Sequence, residues 1–252
     1  MIPMVSVVIP CYNAEMYIGE CIESVVMQDY PNIEIIVVDD ASTDNSVREV
    51  IGARRNAGIP IYTEHLYPNR GECCASQTGF KRANGEYVCR LSADDTFVER
   101  DHISRQVQEM EKTTADWCYN SRYLMGETIE RAGVVESAWF IPHGFRGASA
   151  LDNLFLKFPR LCLRISKYKN PTNSSTFMIR KSTFDEQHLT WKPNKLRTRC
   201  DGMILGQMLA KRLKGRALPE IGCFYRVHPK QASHTTEAID DMKPLVEYLE
   251  TL

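Results

Sequence analysis

What this chain lacks narrows the possibilities first. Nowhere do about 18 apolar residues run without interruption, as a membrane-spanning helix requires, and the opening Met1-Ile-Pro-Met-Val-Ser-Val-Val-Ile-Pro10 has neither the basic flank nor the apolar length of a secretory signal. Neither G-x-G-x-x-G nor G-x-x-x-x-G-K-[ST] occurs, which disfavours a Rossmann dehydrogenase, a P-loop NTPase and the glycine-rich phosphate loop of a nucleotidyltransferase. Nine cysteines are present, but no C-x-x-C pair that would suggest zinc or redox chemistry. Most lie in apolar runs, where cysteine behaves as a small hydrophobe. A net charge of −1 excludes a globally basic nucleic-acid binder. Internal repeats and low-complexity linkers are missing too. These absences suggest a cytoplasmic chain with no integral membrane segment.

What is there suffices for one large α/β domain or two small ones, one compact domain with two functional halves being the economical reading: 252 residues, 43% hydrophobic and 25% charged. The organising stretch is Glu86-Tyr-Val-Cys-Arg-Leu-Ser-Ala-Asp94-Asp95-Thr-Phe97, an apolar run that ends in two adjacent carboxylates. A buried strand tolerates two acids at its C-terminal end only where a cation, a basic neighbour or water offsets their repulsion. In an open α/β sheet that end faces the ligand crevice. One reading is that Asp94 and Asp95 hold Mg²⁺ or Mn²⁺ for a phosphorylated ligand, because hard cations share oxygen ligands with phosphates. The other is that the pair caps a helix beginning near Val98.

Taken in order, Val5–Ile9 reads as a buried strand, and Asn13 as the cap of a helix with Ile18, Cys21, Ile22, Val25 and Val26 on one face. Ile33–Val38 is a second strand that also ends in acids, Asp39-Asp40; Asp44 is placed to cap a helix with Val47, Val50 and Ile51 inward. A weaker strand at Ile59–Thr63, a turn at Pro68–Gly71 and a helix over Glu72–Ala83 follow. This alternation predicts a doubly wound, mostly parallel sheet. Beyond Phe97 the pattern predicts a helix from about Glu99 to Lys112, strands at Trp117–Met125 and Ile129–Val135, a strand at Asn173–Arg180, a helix at Asp201–Lys214, a strand at Cys223–His228 and a terminal helix using Met242, Leu245, Val246 and Leu249. Between Lys157 and Lys169 basic and apolar residues interleave. That segment fits an amphipathic piece with a solvated basic face, or peripheral contact with acceptor phosphates or an anionic inner-membrane surface.

Val5-Ser-Val-Val-Ile-Pro-Cys-Tyr-Asn13, Val37-Val-Asp-Asp-Ala-Ser-Thr-Asp44, Asn69-Arg-Gly71, Ala83-Asn-Gly-Glu-Tyr87, Leu91-Ser-Ala-Asp-Asp95 and Leu218-Pro-Glu…Tyr225-Arg-Val-His228 resemble, in order, the signatures of the family 2 glycosyltransferases. The resemblance implies the GT-A fold, with residues 1–97 as the nucleotide-sugar-binding half and 98–252 as the acceptor-binding half, including a smaller antiparallel part. It implies an inverting transfer from a nucleoside-diphosphate sugar, most simply UDP-linked, to a glycan, lipid-linked or other hydroxyl acceptor. Pro10, Tyr12, Asn13, Asp39, Asp40, Asn69 and Gly71 fall at the donor-binding positions, capping being the plain alternative for Asp40. Asp94 and Asp95 fall at the metal motif for Mg²⁺ or Mn²⁺, with His228 at a position that helps hold metal or diphosphate in some members, a plain surface histidine being the alternative. Asp201 falls at the general base, or is an ordinary helix cap.

This chain departs from the pattern at three places. Ser92 stands where the first acid of Asp-x-Asp is usual, Ser76-Gln77 stands for Arg-Asn, and Cys200 for the Glu before the base. A degenerate protein that binds nucleotide or glycan without turnover is the alternative that these departures leave open.

Overall fold

The computed structural model describes residues 1–136, 153, 156–157, 161–162, 173–191, 200–231, 247–248 and 251. The expected terminal helix and Arg160, Arg164, Lys167 and Lys169 of the basic segment lie outside the described residues.

Strands β1 (Val5–Cys11) and β2 (Ile33–Asp39) are buried at every position, as mostly apolar strands are when both faces of a parallel sheet are covered. With β3 (Ile61–His65) and β4 (Tyr87–Arg90) they form the parallel order β3-β2-β1-β4. Helices α1 (Ile18–Val26), α2 (Ser46–Arg54) and α3 (Glu72–Arg82) make the crossovers. The chain winds outward from β1 to β3 and then returns to β4 on the other side of β1. The crevice beyond the C-terminal ends of β1 and β4 is therefore the topological switch point, where such sheets take their ligands.

The sheet continues through β8 (Met178–Arg180), antiparallel to β4, then β6 (Trp117–Gly126), β9 (Gly215–Arg226) and β5 (Thr96–Phe97), with β7 (Gly133–Glu136) beside β6. Helix α4 (His102–Thr113) follows β5, α5 (Lys181–Glu186) follows β8, and α6 (Cys200–Ala210) precedes β9. One apolar cluster joins Val5, Val7 and Ile9 to α1 and α4. The other joins Val8, Ile36 and Val38 to Phe80, Trp117, Trp191 and α6. Both clusters draw on the first hundred residues and on the remainder.

Several local expectations are corrected. After Asp95 the chain makes β5, pairing Thr96 with Phe224 and Phe97 with Cys223, so α4 starts only at His102 with Asp101 at its N-cap. The acids at 94 and 95 therefore do not cap it. Asn13 does not cap α1, whose N-cap is Tyr17. Ile51 is exposed, because α2 buries only Ser46 and Val50. The strands expected from Ile129 and from Asn173 each open with a 3₁₀ turn, Ile129–Arg131 and Ser174–Thr176, the latter capped where Asn173 Oδ1 accepts the Ser175 N–H at 2.9 Å.

Candidate active site

Three loops meet at the switch point, and polar side chains rather than apolar packing join them. After β1, Asn13 takes a left-handed backbone (φ +49°), which asparagine tolerates better than most residues. Its Oδ1 accepts the Thr43 N–H at 2.8 Å, and its own N–H donates to Ser42 Oγ at 3.0 Å. Asp44 receives the Ser46 N–H at 2.9 Å and the Glu15 N–H at 3.0 Å, while Glu15 Oε2 receives the Asn45 N–H at 2.9 Å. The loops after β1 and β2 thus brace each other. Tyr12 stays 52% exposed beside them, whereas Pro10 is buried within β1 opposite Val38.

The two acids that end β2 have different duties. Asp40 is 2% exposed, and its oxygens accept the N–H groups of Arg70 and Gly71, each at 2.7 Å; Asn69 Nδ2 donates to its carbonyl at 2.9 Å. Gly71 sits at φ +87°, ψ 158°, a region essentially closed to other residues, so Asp40 and Gly71 together build the turn that opens α3. Asp39 lies opposite Cys11 in β1 and His65 in β3, and makes only longer contacts: Oδ1 with the Ser42 N–H at 3.3 Å and Oδ2 with His65 Nδ1 at 3.5 Å. Its carboxylate keeps acceptor capacity.

Asp94 and Asp95 diverge in the same way. Asp95 is 1% exposed; Oδ2 accepts from Ser175 Oγ at 2.5 Å, and Oδ1 accepts the Arg226 N–H at 3.1 Å. Burial, and then the charge of Asp94, push the Asp95 carboxyl well above the usual range. Asp94 points toward β9, with Oδ2 3.0 Å from His228 Nε2 and a quarter of its side chain exposed. Arg226 holds this corner: Nε donates to the Asp94 carbonyl at 3.1 Å, Nη2 reaches Glu20 on α1, and the guanidinium lies over Tyr17, whose ring is 4.7 Å from that of His228. Nearby thiols offer no nucleophile, since burial and then Asp39 push Cys11 up to about 12, and burial raises Cys21 well above its ordinary value.

Sequence reasoning passed over Arg90. It sits within the apolar run before Asp94, fully buried, and donates to Ser76, Ser92 and Ser174 while pairing with Glu72. A lone arginine in a buried strand was the available signal, because such a charge persists only with partners. Ser174 and Ser175 came without a signal, being brought in from some eighty positions downstream. Asp201 lies in the first turn of α6, half-buried, its Oδ1 accepting the Gly202 N–H at 2.8 Å. Gln77 accepts from Thr190 Oγ1 at 2.9 Å and from the Trp191 N–H at 2.8 Å, tying α3 to the segment before α6.

As a metal centre the corner is lean: among the described residues no group of three or more His, Cys, Asp or Glu could hold an ion. One carboxylate and one imidazole, Asp94 and His228, remain. That set suits a hard cation that completes its shell with phosphate oxygens and water rather than a protein cage.

The sequence profile described as Glycosyl transferase family 2 matches residues 6–189. The chain is 33% identical over 125 residues to the putative teichuronic acid biosynthesis glycosyltransferase TuaG of Bacillus subtilis, covering 50% of this chain and 49% of that one. It is 33% identical over 132 residues to the chondroitin synthase of Escherichia coli, covering 52% of this chain and 18% of the other. It thus spans half or less of the length of these relatives. Among solved structures, S. aureus TarS 1-349 in complex with UDP-GlcNAc superposes with a TM-score of 0.74 at 19% identity, over 98% of this chain and 66% of that one. The mannosyltransferase PcManGT from Pyrobaculum calidifontis, in complex with GDP-Man and Mn²⁺, gives 0.65 at 17% identity, over 98% and 69%. The architecture is the GT-A fold.

Proposed function

The chain belongs to glycosyl transferase family 2, and from that premise we propose that it is an inverting glycosyltransferase of the hexosyltransferase type, moving a sugar from a nucleoside-diphosphate donor to an acceptor hydroxyl. The observation that carries this reading is the Asp94–His228 pair, 3.0 Å apart and partly exposed beside the switch-point crevice. A UDP-linked donor is the simplest choice, given the likeness to TarS with UDP-GlcNAc.

In this reading Asp39 accepts a nucleobase N–H or ribose hydroxyls, with Tyr12 and Asn13 beside the base. Pro10 stiffens the end of β1, and Asp40, Asn69 and Gly71 build the loop that closes the pocket. Asp94 and His228 are the residues that would hold Mg²⁺ or Mn²⁺; Asp95 acts behind them by fixing Ser175 and Arg226. The ion, when bound, would offset charge building on the departing diphosphate. Asp201 takes the proton of the acceptor hydroxyl as that oxygen attacks the anomeric carbon. The new C–O bond forms on the face opposite the breaking bond to diphosphate, so the configuration inverts. Residues beyond 98 would receive the acceptor, whether glycan, lipid-linked or other hydroxyl compound.

Calorimetric titration with UDP, GDP, CDP and TDP, with and without Mn²⁺, tests this on the wild type and Asp94→Ala. One diphosphate should bind, more tightly with Mn²⁺, and Asp94→Ala should lose the metal-dependent part. Asp201→Asn should keep binding but release no diphosphate with donor and acceptor present. Binding of none of the four would overturn the proposal, and binding without turnover by any donor would favour the degenerate reading.

A further inference from the structure

Arg90 ends a strand with neighbours on both sides and is 0% exposed. Among its partners are four described side chains: Nε donates to Ser76 Oγ at 3.1 Å, Nη1 to Ser92 Oγ at 3.1 Å and to Ser174 Oγ at 2.5 Å, and Nη2 to Glu72. Trp191 lies against the guanidinium, 5.9 Å from its ring centroid. Glu72 supplies a counter-charge to the buried guanidinium. The bonds to Ser92 and Ser174 reach two partly exposed serines, which stand on the two segments beside Asp94 and Asp95.

A serine hydroxyl has one proton and two lone pairs. Ser175 directs its proton to Asp95 at 2.5 Å and accepts the Ser92 N–H at 3.1 Å. Ser92 Oγ accepts from Arg90 and lies 3.2 Å from Ser175 Oγ, on its acceptor side, and its own proton has no acceptor among the described residues. Ser174 Oγ accepts from Arg90, and its proton has no acceptor among the described residues. The arginine therefore occupies a lone pair on each hydroxyl and leaves the protons of Ser92 and Ser174 without an acceptor among the described residues. A charged donor polarises the hydroxyls it binds and strengthens the bonds they give in turn.

We propose that Arg90 is a positioning residue that makes Ser92 and Ser174 a pair of hydrogen-bond donors for a phosphoryl oxygen of the nucleoside diphosphate. This rests on the donor-binding reading given above. Position 92 then offers a site that accepts an anion in place of a carboxylate. The cation missing at position 76 is supplied from the strand beneath, with Arg90 Nε on the Ser76 hydroxyl. Arg90 itself does not touch the ligand.

The test compares UDP with UMP by calorimetry, in EDTA and in Mn²⁺, on the wild type, Arg90→Met, Arg90→Lys and the Ser92→Ala/Ser174→Ala pair. Since hydrogen bonds to a charged group are the stronger kind, the ratio of UDP to UMP affinity should fall about tenfold in Arg90→Met and in the serine pair. UMP affinity and the Mn²⁺ enhancement should hold. Arg90→Lys should fall between, because one ammonium cannot fork to both hydroxyls. Should Arg90→Met not fold, the serine pair decides alone, as it removes two hydroxyls and no charge. An unchanged UDP-to-UMP ratio in the serine pair overturns the proposal and leaves Arg90 a packing residue. If the wild type binds neither UDP nor UMP while another base binds, the same ratio is read with that base's di- and monophosphates. If nothing binds, the donor reading itself has failed and takes this proposal with it.

Discussion

Replacing Asp40 by alanine strips the acceptor from two backbone donors at once. The Arg70 and Gly71 N–H groups each lie 2.7 Å from an Asp40 oxygen, and the carboxylate is 2% exposed. Hydrogen bonds to a charged group contribute roughly 1.5–3 kcal/mol each, so removing both costs at most about 6 kcal/mol. Water entering beside exposed Arg70 recovers part of this, and about 3 kcal/mol is the expected loss. For a chain of this size that lowers Tm by roughly 6–12 °C. Asp40→Asn keeps one acceptor but turns an amide N–H toward the other donor, so it should recover at most half. The assay is thermal unfolding followed by circular dichroism, paired with UDP titration well below the transition. Asp40→Ala should lose stability and bind nucleotide more weakly, because the turn at Gly71 loses its anchor. A variant with unchanged Tm that no longer binds nucleotide would refute this reasoning and make Asp40 a direct ligand.

Two further outcomes follow from the packing. His102, fully buried with its ring 4.3 Å from that of Phe97, has its pKa pushed down from 6.5 to about 3 by burial and then by Arg105. Below pH 6.5 the unfolded chain binds a proton there that the folded chain refuses, so stability falls as pH drops from about 6.5 toward 3, on the order of 1.4 kcal/mol per unit. Urea unfolding should show His102→Leu losing about 2 kcal/mol less than the wild type between pH 7.5 and 5; equal losses would sink the assignment. Gly79 packs α3 onto β1 so closely that a Cβ would lie 2.2 Å from Val8 Cγ1. Gly79→Ala should cost roughly 1–3 kcal/mol by overpacking, and adding Val8→Ala should return part of that stability in the same melts; no recovery in the double variant would place the strain elsewhere.

The strand ends were readable because an apolar run that stops at acids can be recognised locally. Which acid of each pair faces the crevice was not. Asp40 turns inward because a loop thirty residues on supplies two N–H groups, and Asp95 because β8, pairing with β4, brings Ser175 to it and β9, pairing with β5, brings the Arg226 backbone. Those partners are set by tertiary pairing, which periodicity does not record. The same holds for Asn13 and Asp44. As caps they fit local preference, yet the fold spends Asn13 on the neighbouring loop and makes Asp44 accept from Glu15 as well as from its own turn.

Arg90 joins two separate departures from the family pattern. Read position by position, Ser76 loses a cation and Ser92 loses an acid, and each subtracts from the site. In the fold both hydroxyls lie on one guanidinium, at 3.1 Å each. A second arginine at 76 would bring another positive charge beside the buried Arg90 guanidinium, which lies 3.1 Å from the Ser76 hydroxyl. Small hydroxyls at both positions are what a buried arginine in β4 permits. Arg90 in β4 thus joins the two hydroxyls, while Asp94 and His228 stand as a partly exposed polar pair.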